Sequence, residues 1–532
     1  MTPSWATLTR TGRAGPAGLG SARHLTPDVG ARIAWPAAVA LGVLSSLNFD
    51  PVGLPYAMVV AIGGLTWLAH ALRAARKRTV MVTGLLYGLA FMGPLIWWMN
   101  AVSHGAYVGL VVAEALFYVP IMLALRASAR LRWWPLWGAA VWVLGEWARG
   151  RFPFTGFPWG RLAHTSIDTP FEAYARLVAM PGTSAVLFLV AALLVVLVTT
   201  SAWRTRGLAV AGVLAIAGVG AVLPTGIAGA DGTRQVALVQ GNVPGVFLTW
   251  PIGEIFKLHA AETDKLADKI DAGEVPRPDM VLWPENSTDT DPYFDEPVKQ
   301  RIQALSRRIG APILVGGIFD GPTSSTAYNA GVVWTADGPG ERYVKLKPVP
   351  FGEYVPWRKQ AGFFVNRLAR DIPRDMVAGD EPGALHIGDT LIGDSICYDI
   401  AYDSVTRGAV DRGAQMIVVQ TSNAAFTNTS QPEQQWDISR LRAIETGRWV
   451  AVPSTNGITG FVDPDGRGVA RAPMHEPATL SAKVTLASGK TPALVIGAPL
   501  EYVLVVLGLG AWWFGTRRRT PEGVSEPTEA EA

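Results

Sequence analysis

Sulfur and charge are what this sequence has least of. Cys397 is the single cysteine in 532 residues. One thiol excludes an intramolecular disulfide and a zinc site built on four cysteines. Charged residues make up 17% of the chain and hydrophobic residues 49%. Soluble domains carry about 25% charged residues, so the deficit points to a membrane. The formal net charge of +3 is too small to argue for a nucleic-acid partner. The sequence has no metal-ligand spacing and no nucleotide-binding motif, so neither a metal nor a cofactor is expected. The length allows two domains or more.

What the chain does have is long apolar runs. Crossing about 30 Å of hydrocarbon as a helix takes about 20 apolar residues. Runs of this kind lie near 33–47, 53–72, 79–100, 106–125, 133–147, 177–200, 207–228 and 493–515, the first and fifth being short. A polytopic membrane domain of about eight spans is expected. Glu114 and Glu501 interrupt two of the runs; a charge facing lipid is costly, so each should face protein or water. Arg73, Arg76, Lys77 and Arg78 fall in one loop, Arg126, Arg130 and Arg132 in another, Arg204 and Arg206 in a third, and Arg517, Arg518 and Arg519 follow the last run. The alternate loops near 48–52 and 101–105 have no lysine or arginine. The excess of positive charge marks the cytoplasmic side, which places both termini in the cytoplasm. The loop 148–176 goes against the pattern, with Arg149, Arg151, Arg161 and Arg176.

Five segments follow. Residues 1–32 read as a disordered cytoplasmic leader without a signal-peptide core. Residues 33–228 form the membrane domain with seven spans, 229–491 an outer domain, 492–516 the final span, and 517–532 an acidic cytoplasmic tail. The outer domain would lie beyond the cytoplasmic membrane. Its sequence alternates strand and helix patterns. "QVALVQ" (235–240), "MVLWPE" (280–285), "PILVGGIF", "AYNAGVVW", "QMIVVQTS" (415–422), "WVAVPST" and "GITGFVD" read as strands. Residues 252–271, 296–310 and 433–448 read as helices. Such alternation suggests sheets with helices packed outside.

Three short stretches combine into a chemical set: "LWPENS" with Glu285, "YVKLKPVPFGEYVP" with Lys345, Lys347 and Glu353, and "SICYDI" with Cys397. Singly each has an ordinary reading. A lone cysteine is most often a small buried hydrophobe, a glutamate after a strand is usually solvated, and "KLK" is usually a basic edge. Together they supply what acyl transfer needs. A thiol requires a base, a carboxylate in a buried place can serve, and the oxyanion formed on attack requires a positive charge.

The order Glu, Lys, Cys, with "RAIETGRWVAVPSTNGITGFVDPDGR" (442–467) and "LVQGN" (238–242), resembles the nitrilase, or carbon–nitrogen hydrolase, superfamily. The resemblance implies an αββα sandwich, with Glu285 as general base, Lys345 as oxyanion stabiliser and Cys397 as nucleophile. Lys345 is preferred to Lys347 because the family lysine lies eight residues before the glutamate of "PFGE", here Glu353. "VPFGEYVP" (349–356), "RGRFPFTGFPWGRL" (149–162) and "PLIWWMNAVSHGAY" (94–107) are similar to the apolipoprotein N-acyltransferase family, in which a nitrilase-like domain precedes the last of eight spans.

That second resemblance implies acyl transfer from a membrane phospholipid, through a thioester, to the α-amine of a diacylglyceryl-cysteine at an apolipoprotein N-terminus. The expected place is the bacterial cytoplasmic membrane, with the catalytic domain outside and the chain acting as a monomer. Glu353, Tyr398 and Asp399 are implied supporting residues. Asp399 stands where the family usually has glutamate, one methylene longer. The loop "SNAAFTNTSQPEQQW" (422–436) also departs from the family, so lipid contacts at Phe426 and Trp436 are open, as is Trp250 after "QGN". The segment 354–370 alternates aromatic and basic residues. It is either a lid with Trp357, Phe363 and Phe364 dipping into lipid or an arm packed on the domain. "FTGFPW" (154–159) is either an interfacial anchor or a packed Gly/Pro loop. Two other functions compete: a membrane-tethered amidase, against which the many spans count, and a transporter or receptor with an outer ligand-binding domain.

Overall fold

The computed structural model describes residues 30–245, 250–358 and 372–518. Residues 1–29 of the expected leader, 519–532 of the expected tail, and Phe363 and Phe364 lie outside the described residues.

Helices occupy each of the eight apolar stretches. They are α1 (Ala31–Ser46), α2 (Ala57–Ala71), α3 (Lys77–Leu95), α4 (His104–Ser128), α5 (Trp134–Arg149), α6 (Tyr174–Thr199), α7 (Trp203–Val222) and, much later in the chain, α12 (Pro492–Arg517). Five of them, α3, α4, α6, α7 and α12, are long and apolar enough to cross a membrane. On α7 only Ala209 and Gly220 are buried, and Leu208, Leu214 and Val222 point outward. A helix that exposes apolar side chains in this way suits lipid rather than water. The bundle closes when α12 returns to pack on α4, α5 and α6. A Cβ at Gly508 would come within 2.6 Å of the Ala140 carbonyl oxygen. Small residues of this kind let helix backbones approach where lipid gives no hydrophobic drive to associate.

The charges inside the bundle are paired. Glu114 meets Arg149 at 2.7 Å, and Glu501 meets Arg151 at 2.7 Å. Arg161 reaches Asp403 at 2.8 Å, and Arg176 donates to the Gly226 carbonyl. The four arginines that went against the charge pattern are therefore engaged in internal contacts, which local loop charge cannot reveal.

Residues from β1 (Ala230–Gln240) onward form two sheets between two helix layers. The remaining elements are α8 (Glu254–Asp271), β2 (Met280–Leu282), α9 (Glu296–Ile309), β3 (Ile313–Asp320), β4 (Thr326–Thr335), β5 (Gly338–Val344), β6 (Asp375–Met376), β7 (Gly383–Ile387), β8 (Thr390–Ile396), α10 (Asp403–Asp411), β9 (Met416–Gln420), α11 (Gln431–Thr446), β10 (Val450–Val452), β11 (Gly460–Val462), β12 (Gly468–Arg471) and β13 (Ala478–Ala487). The first sheet runs β13-β1-β2-β3-β4-β5, with β6 on β4; the second runs β12-β11-β10-β9-β8-β7.

Side-chain alternation along each strand fills two separate layers. Val236 and Leu238 of β1 face the second sheet and meet Met416 and Val418 of β9. Ala237 and Val239 face outward and pack with Phe256 and Leu266 of α8 and Leu305 of α9. On the far side, α11 is buried on nearly every face, and its core is continuous with that of the membrane helices. The second helix layer is thus also the seat on the bundle. The strands of each sheet nearest its centre, β1-β2-β3 and β8-β9-β10, run parallel. Their C-terminal ends, where open α/β sheets expose chemistry, carry Glu285, Cys397 and Thr421.

Candidate active site

Glu285 stands three residues beyond β2, Lys345 immediately after β5, and Cys397 immediately after β8. Lys345 is 2% exposed. Its ammonium lies 3.3 Å from Glu285 Oε1 and 3.0 Å from Glu353 Oε1. Burial alone would push the lysine down; the charges of Glu353 and then Glu285 outweigh it and hold the ammonium well above its ordinary range. Asn329 on β4 ties the two carboxylates together: its Nδ2 donates to Glu285 Oε1 at 2.8 Å and to Glu353 Oε1 at 2.7 Å. The Ser422 N–H donates to Glu285 Oε2 at 3.0 Å, and the Val349 N–H to Glu353 Oε2 at 2.6 Å. Both carboxylates are satisfied on both oxygens, as buried charges must be.

Cys397 is half-buried and begins a 3₁₀ turn, Cys397–Ala401, with φ of 52°. A side chain other than glycine held in the left-handed region costs about 1–3 kcal/mol and aims the residue off the strand axis. Burial pushes its thiol up to about 12; the Glu285 charge adds to this and Lys345 opposes it. Thr421 next to the thiol also pulls it down, and Gln435 Nε2 donates to the Cys397 carbonyl at 3.1 Å.

Asp399 is fully buried and joins this turn to the strand that carries the lysine. It accepts from Tyr343 Oη at 2.6 Å and from the N–H groups of Lys347 at 2.9 Å and Leu346 at 3.3 Å. Burial raises its carboxyl to about 6, against the pull of Lys345 and these donors. An aspartate reaches all three, so the shorter side chain does not leave the turn unanchored. Tyr398 faces the bundle. Its ring stacks on Phe157 at 5.9 Å and Trp159 at 6.2 Å, and its hydroxyl donates to the Gly156 carbonyl at 3.3 Å.

The remaining candidate positions scatter. Lys347 lies outside the carboxylate cluster, its ammonium over the Tyr402 ring. Trp357 is 71% exposed and meets Phe154 edge-on at 5.0 Å, and Phe351 also meets Phe154, at 5.9 Å. The loop 154–159 therefore divides: Phe154 is exposed, whereas Phe157 and Trp159 are packed. Phe426 packs on Trp98 of the bundle at 5.3 Å, and Trp250 is half-buried. Trp436 is an interior side chain, 5% exposed, lying over Gly460 and Gly468 with Arg471 on its face. Sequence reasoning missed Asn329, Thr421, Ser422 and Gln435. The one available signal was a polar residue at an interior strand position, Asn329 in "AYNAGVVW". Among the described residues no group of His, Cys, Asp and Glu could hold a metal ion.

Comparison with known proteins fits this layout. Residues 41–193 match the Apolipoprotein N-acyltransferase N-terminal domain, and residues 235–491 match the Carbon-nitrogen hydrolase family. The apolipoprotein N-acyltransferase of Mycolicibacterium smegmatis is 35% identical, over 89% of this chain and 83% of its own. Those of Methylococcus capsulatus and Pasteurella multocida are 30% and 28% identical, over 91% and 90% of this chain and 96% and 94% of theirs. Among solved structures, an amidase from Nesterenkonia sp. aligns with 52% of this chain and 97% of its own at 19% identity and a TM-score of 0.36. Fold and family match together define a carbon–nitrogen hydrolase domain carried by apolar helices. The chain belongs to the apolipoprotein N-acyltransferase family; it is an acyltransferase and a bacterial membrane protein.

Proposed function

We propose that this enzyme moves an acyl chain from a membrane phospholipid to the α-amine of the N-terminal diacylglyceryl-cysteine of an apolipoprotein, through a thioester on Cys397. The observation that carries the reading is the buried ammonium of Lys345 held between Glu285 and Glu353, with both charges acting on the one thiol of the chain.

In the first half, the sulfur attacks the ester carbonyl and its proton passes to Glu285. The carbonyl electron pair moves to oxygen, where Lys345 meets it; a preorganised charge at this position is worth on the order of 10²–10³ in rate. The intermediate collapses with loss of the glycerol oxygen, which takes the proton back from Glu285 and leaves as lysophospholipid. In the second half, the neutral amine attacks the thioester. The C–N bond forms, the C–S bond breaks, and the amine proton passes through Glu285 to sulfur. Both substrates are held by their lipid chains, so confinement to one membrane supplies the effective concentration. Glu353 fixes Lys345, and Asp399 and Tyr398 fix the nucleophile turn.

The placement relative to the membrane rests on two ends of the bundle. Arg126 donates to the Arg73 and Ala75 carbonyls, at 2.7 and 2.8 Å, gathering two arginine-rich loops at one end. At the other end, Gln434 of α11 reaches the Asp50 and Leu95 carbonyls at 2.9 and 3.2 Å. Basic loops mark the cytoplasm. On this reading residues 229–491 are extracytoplasmic, and 33–228 with 492–516 supply eight spans. The enzyme acts as a monomer. Mass spectrometry of a lipoprotein N-terminus from cells with and without this protein tests the reaction: the N-acyl group is present only with it. An unchanged N-terminus alongside hydrolysis of small amides by the purified protein would favour an amidase.

A further inference from the structure

The two sheets are bridged by a polar contact that the chemistry above does not use. Gln420, the last residue of β9, is fully buried and sends its side chain across the sandwich, where Nε2 donates to the Trp283 carbonyl at 2.6 Å. Its amide fills the space left free over Gly316 and Gly331, which sit opposite each other in β3 and β4. A Cβ at Gly331 would fall 2.3 Å from Gln420 Oε1 and 2.4 Å from Asp394 Oδ2. The amide oxygen and the carboxyl of Asp394 on β8 therefore border the same space.

Neither partner is satisfied as an acceptor. Asp394 is 0% exposed, and among the described residues neither of its oxygens, nor Gln420 Oε1, has a hydrogen-bond partner. The amide orientation is fixed, because only nitrogen can donate to the Trp283 carbonyl. Its oxygen then requires a donor. Ser395, next along β8, points to the opposite face of the sheet. A carboxylic acid O–H on Asp394 donating to Gln420 Oε1 satisfies both groups.

We infer that Asp394 is a positioning residue whose neutral carboxyl, through Gln420, fixes the strand that presents Glu285 relative to the strand that presents Cys397. Asp394 lies three residues before the nucleophile. Gln420 lies two residues before Ser422, whose N–H bonds Glu285. The Trp283 carbonyl is two residues before Glu285. One hydrogen-bonded pair thus joins the strand ends carrying base, nucleophile and their donors. The ionisable groups facing Asp394 agree: burial and the negative charge of Asp399 raise its carboxyl well above the ordinary range, with the Ser395 N–H opposing, and Tyr343 beside Asp399 is itself raised. The inference rests on the assignment of Glu285 and Cys397 to the reaction.

Two measurements on the purified full-length protein test it. The infrared difference spectrum between wild type and Asp394→Asn, at neutral pH, is expected to show loss of one protonated-carboxyl C=O band. Acyl-enzyme formation from phospholipid is expected to fall on the order of tenfold to a hundredfold in Asp394→Leu with KM unchanged, and to be restored by Asp394→Asn, whose amide can still donate. Gln420→Met, which has no donor for the Trp283 carbonyl and no acceptor oxygen for Asp394, is expected to fall with Asp394→Leu, and serves if the leucine variant does not fold. Absence of the band, or wild-type acylation in both Asp394→Leu and Gln420→Met, overturns the inference. If wild type itself forms no acyl-enzyme, the functional reading fails, while the infrared result still decides the state of Asp394.

Discussion

At Cys397 the resting sulfur is a thiol. Burial and the Glu285 charge push it up to about 12 in spite of Lys345, so the proton leaves only when an ester is in place to be attacked. Alkylation of Cys397 by iodoacetamide should therefore keep rising with pH through the neutral range without a plateau. Glu285→Gln removes a negative charge and should move that rise to lower pH, while abolishing acyl-enzyme formation for want of a base. A thiolate plateau near neutrality in wild type would refute the neutral-thiol account. Asp399 gives a second pH signature. Its carboxyl is raised to about 6, so the folded state binds that proton more tightly than the unfolded chain does. Through this group, stability rises as pH falls through about 6. Activity should go the other way, because a protonated Asp399 loses acceptor capacity for Tyr343, Leu346 and Lys347. Acylation rates and unfolding midpoints measured across this window should diverge; parallel loss of both would reject the assignment.

The candidate residues at this scale were readable because each chemical type occurs in a short, unusual setting, above all one thiol in a long chain. Their partners were not readable. Asn329, Ser422 and Gln435 are common polar residues whose meaning comes from strands brought together over long sequence separations. Trp436, an apolar residue of the helix pattern, lies inside because glycines on β11 and β12 make room for it.

Among the elements, the turn Cys397–Ala401 depends on neighbours from both halves of the chain. Arg442 of α11 donates to the Ile400 and Ala401 carbonyls, each at 3.0 Å, and to Asp403 at 2.8 Å. Arg161, between α5 and α6, binds both oxygens of the same aspartate at 2.9 and 2.8 Å. These two arginines hold the Asp403 carboxyl far below its ordinary range in spite of burial. Removing one partner of a buried ion pair costs about 3–5 kcal/mol. Asp403→Asn should destabilise the folded protein by about that amount, measured by chemical denaturation in detergent. Because the folded value is depressed, the stability this group contributes is present above the ordinary carboxylate range near pH 4 and is lost as pH falls below it. A loss under about 1 kcal/mol would mean the pair is not desolvated as described.

The helices 254–271, 296–309 and 431–446 lie within two residues of their sequence-based positions, because long amphipathic runs and Gly or Pro boundaries mark them. β5, β6, β7, β8, β12 and β13 escaped notice. "TLIGDSI" in β8 mixes Gly393, Asp394 and Ser395 into a strand buried on both faces, where neither alternation nor a continuous apolar run survives. β13 does alternate, with Leu480, Ala482, Val484 and Leu486 turned to the core between Thr479, Ser481, Lys483 and Thr485, and this strand pattern went unread.

For the whole molecule, the sequence carried the division into apolar helices and a strand-rich block, since hydropathy is averaged over long windows. It did not carry the fixed relation between the two. The seat of α11 on the bundle is made by single bonds: Trp98 and Trp159 donate to Gln434 Oε1 at 3.1 and 2.7 Å. The arginines of 149–176, which blurred the charge pattern, are occupied by Glu114, Glu501, Asp403 and the Gly226 carbonyl. The proposed topology predicts an accessibility difference. In a Cys397→Ala background, a cysteine at exposed Ser324 should react with a membrane-impermeant maleimide in intact spheroplasts. One at exposed Ala74, beside the first basic loop, should react only after lysis. The opposite pattern would invert the topology.

The most direct measurement incubates the purified enzyme with phospholipid bearing a radiolabelled acyl chain, without any acceptor. The account predicts label on the peptide containing Cys397, released by hydroxylamine, and no label on Cys397→Ser or Glu285→Gln. A folded wild-type preparation that takes up no label, or carries it elsewhere, would contradict it.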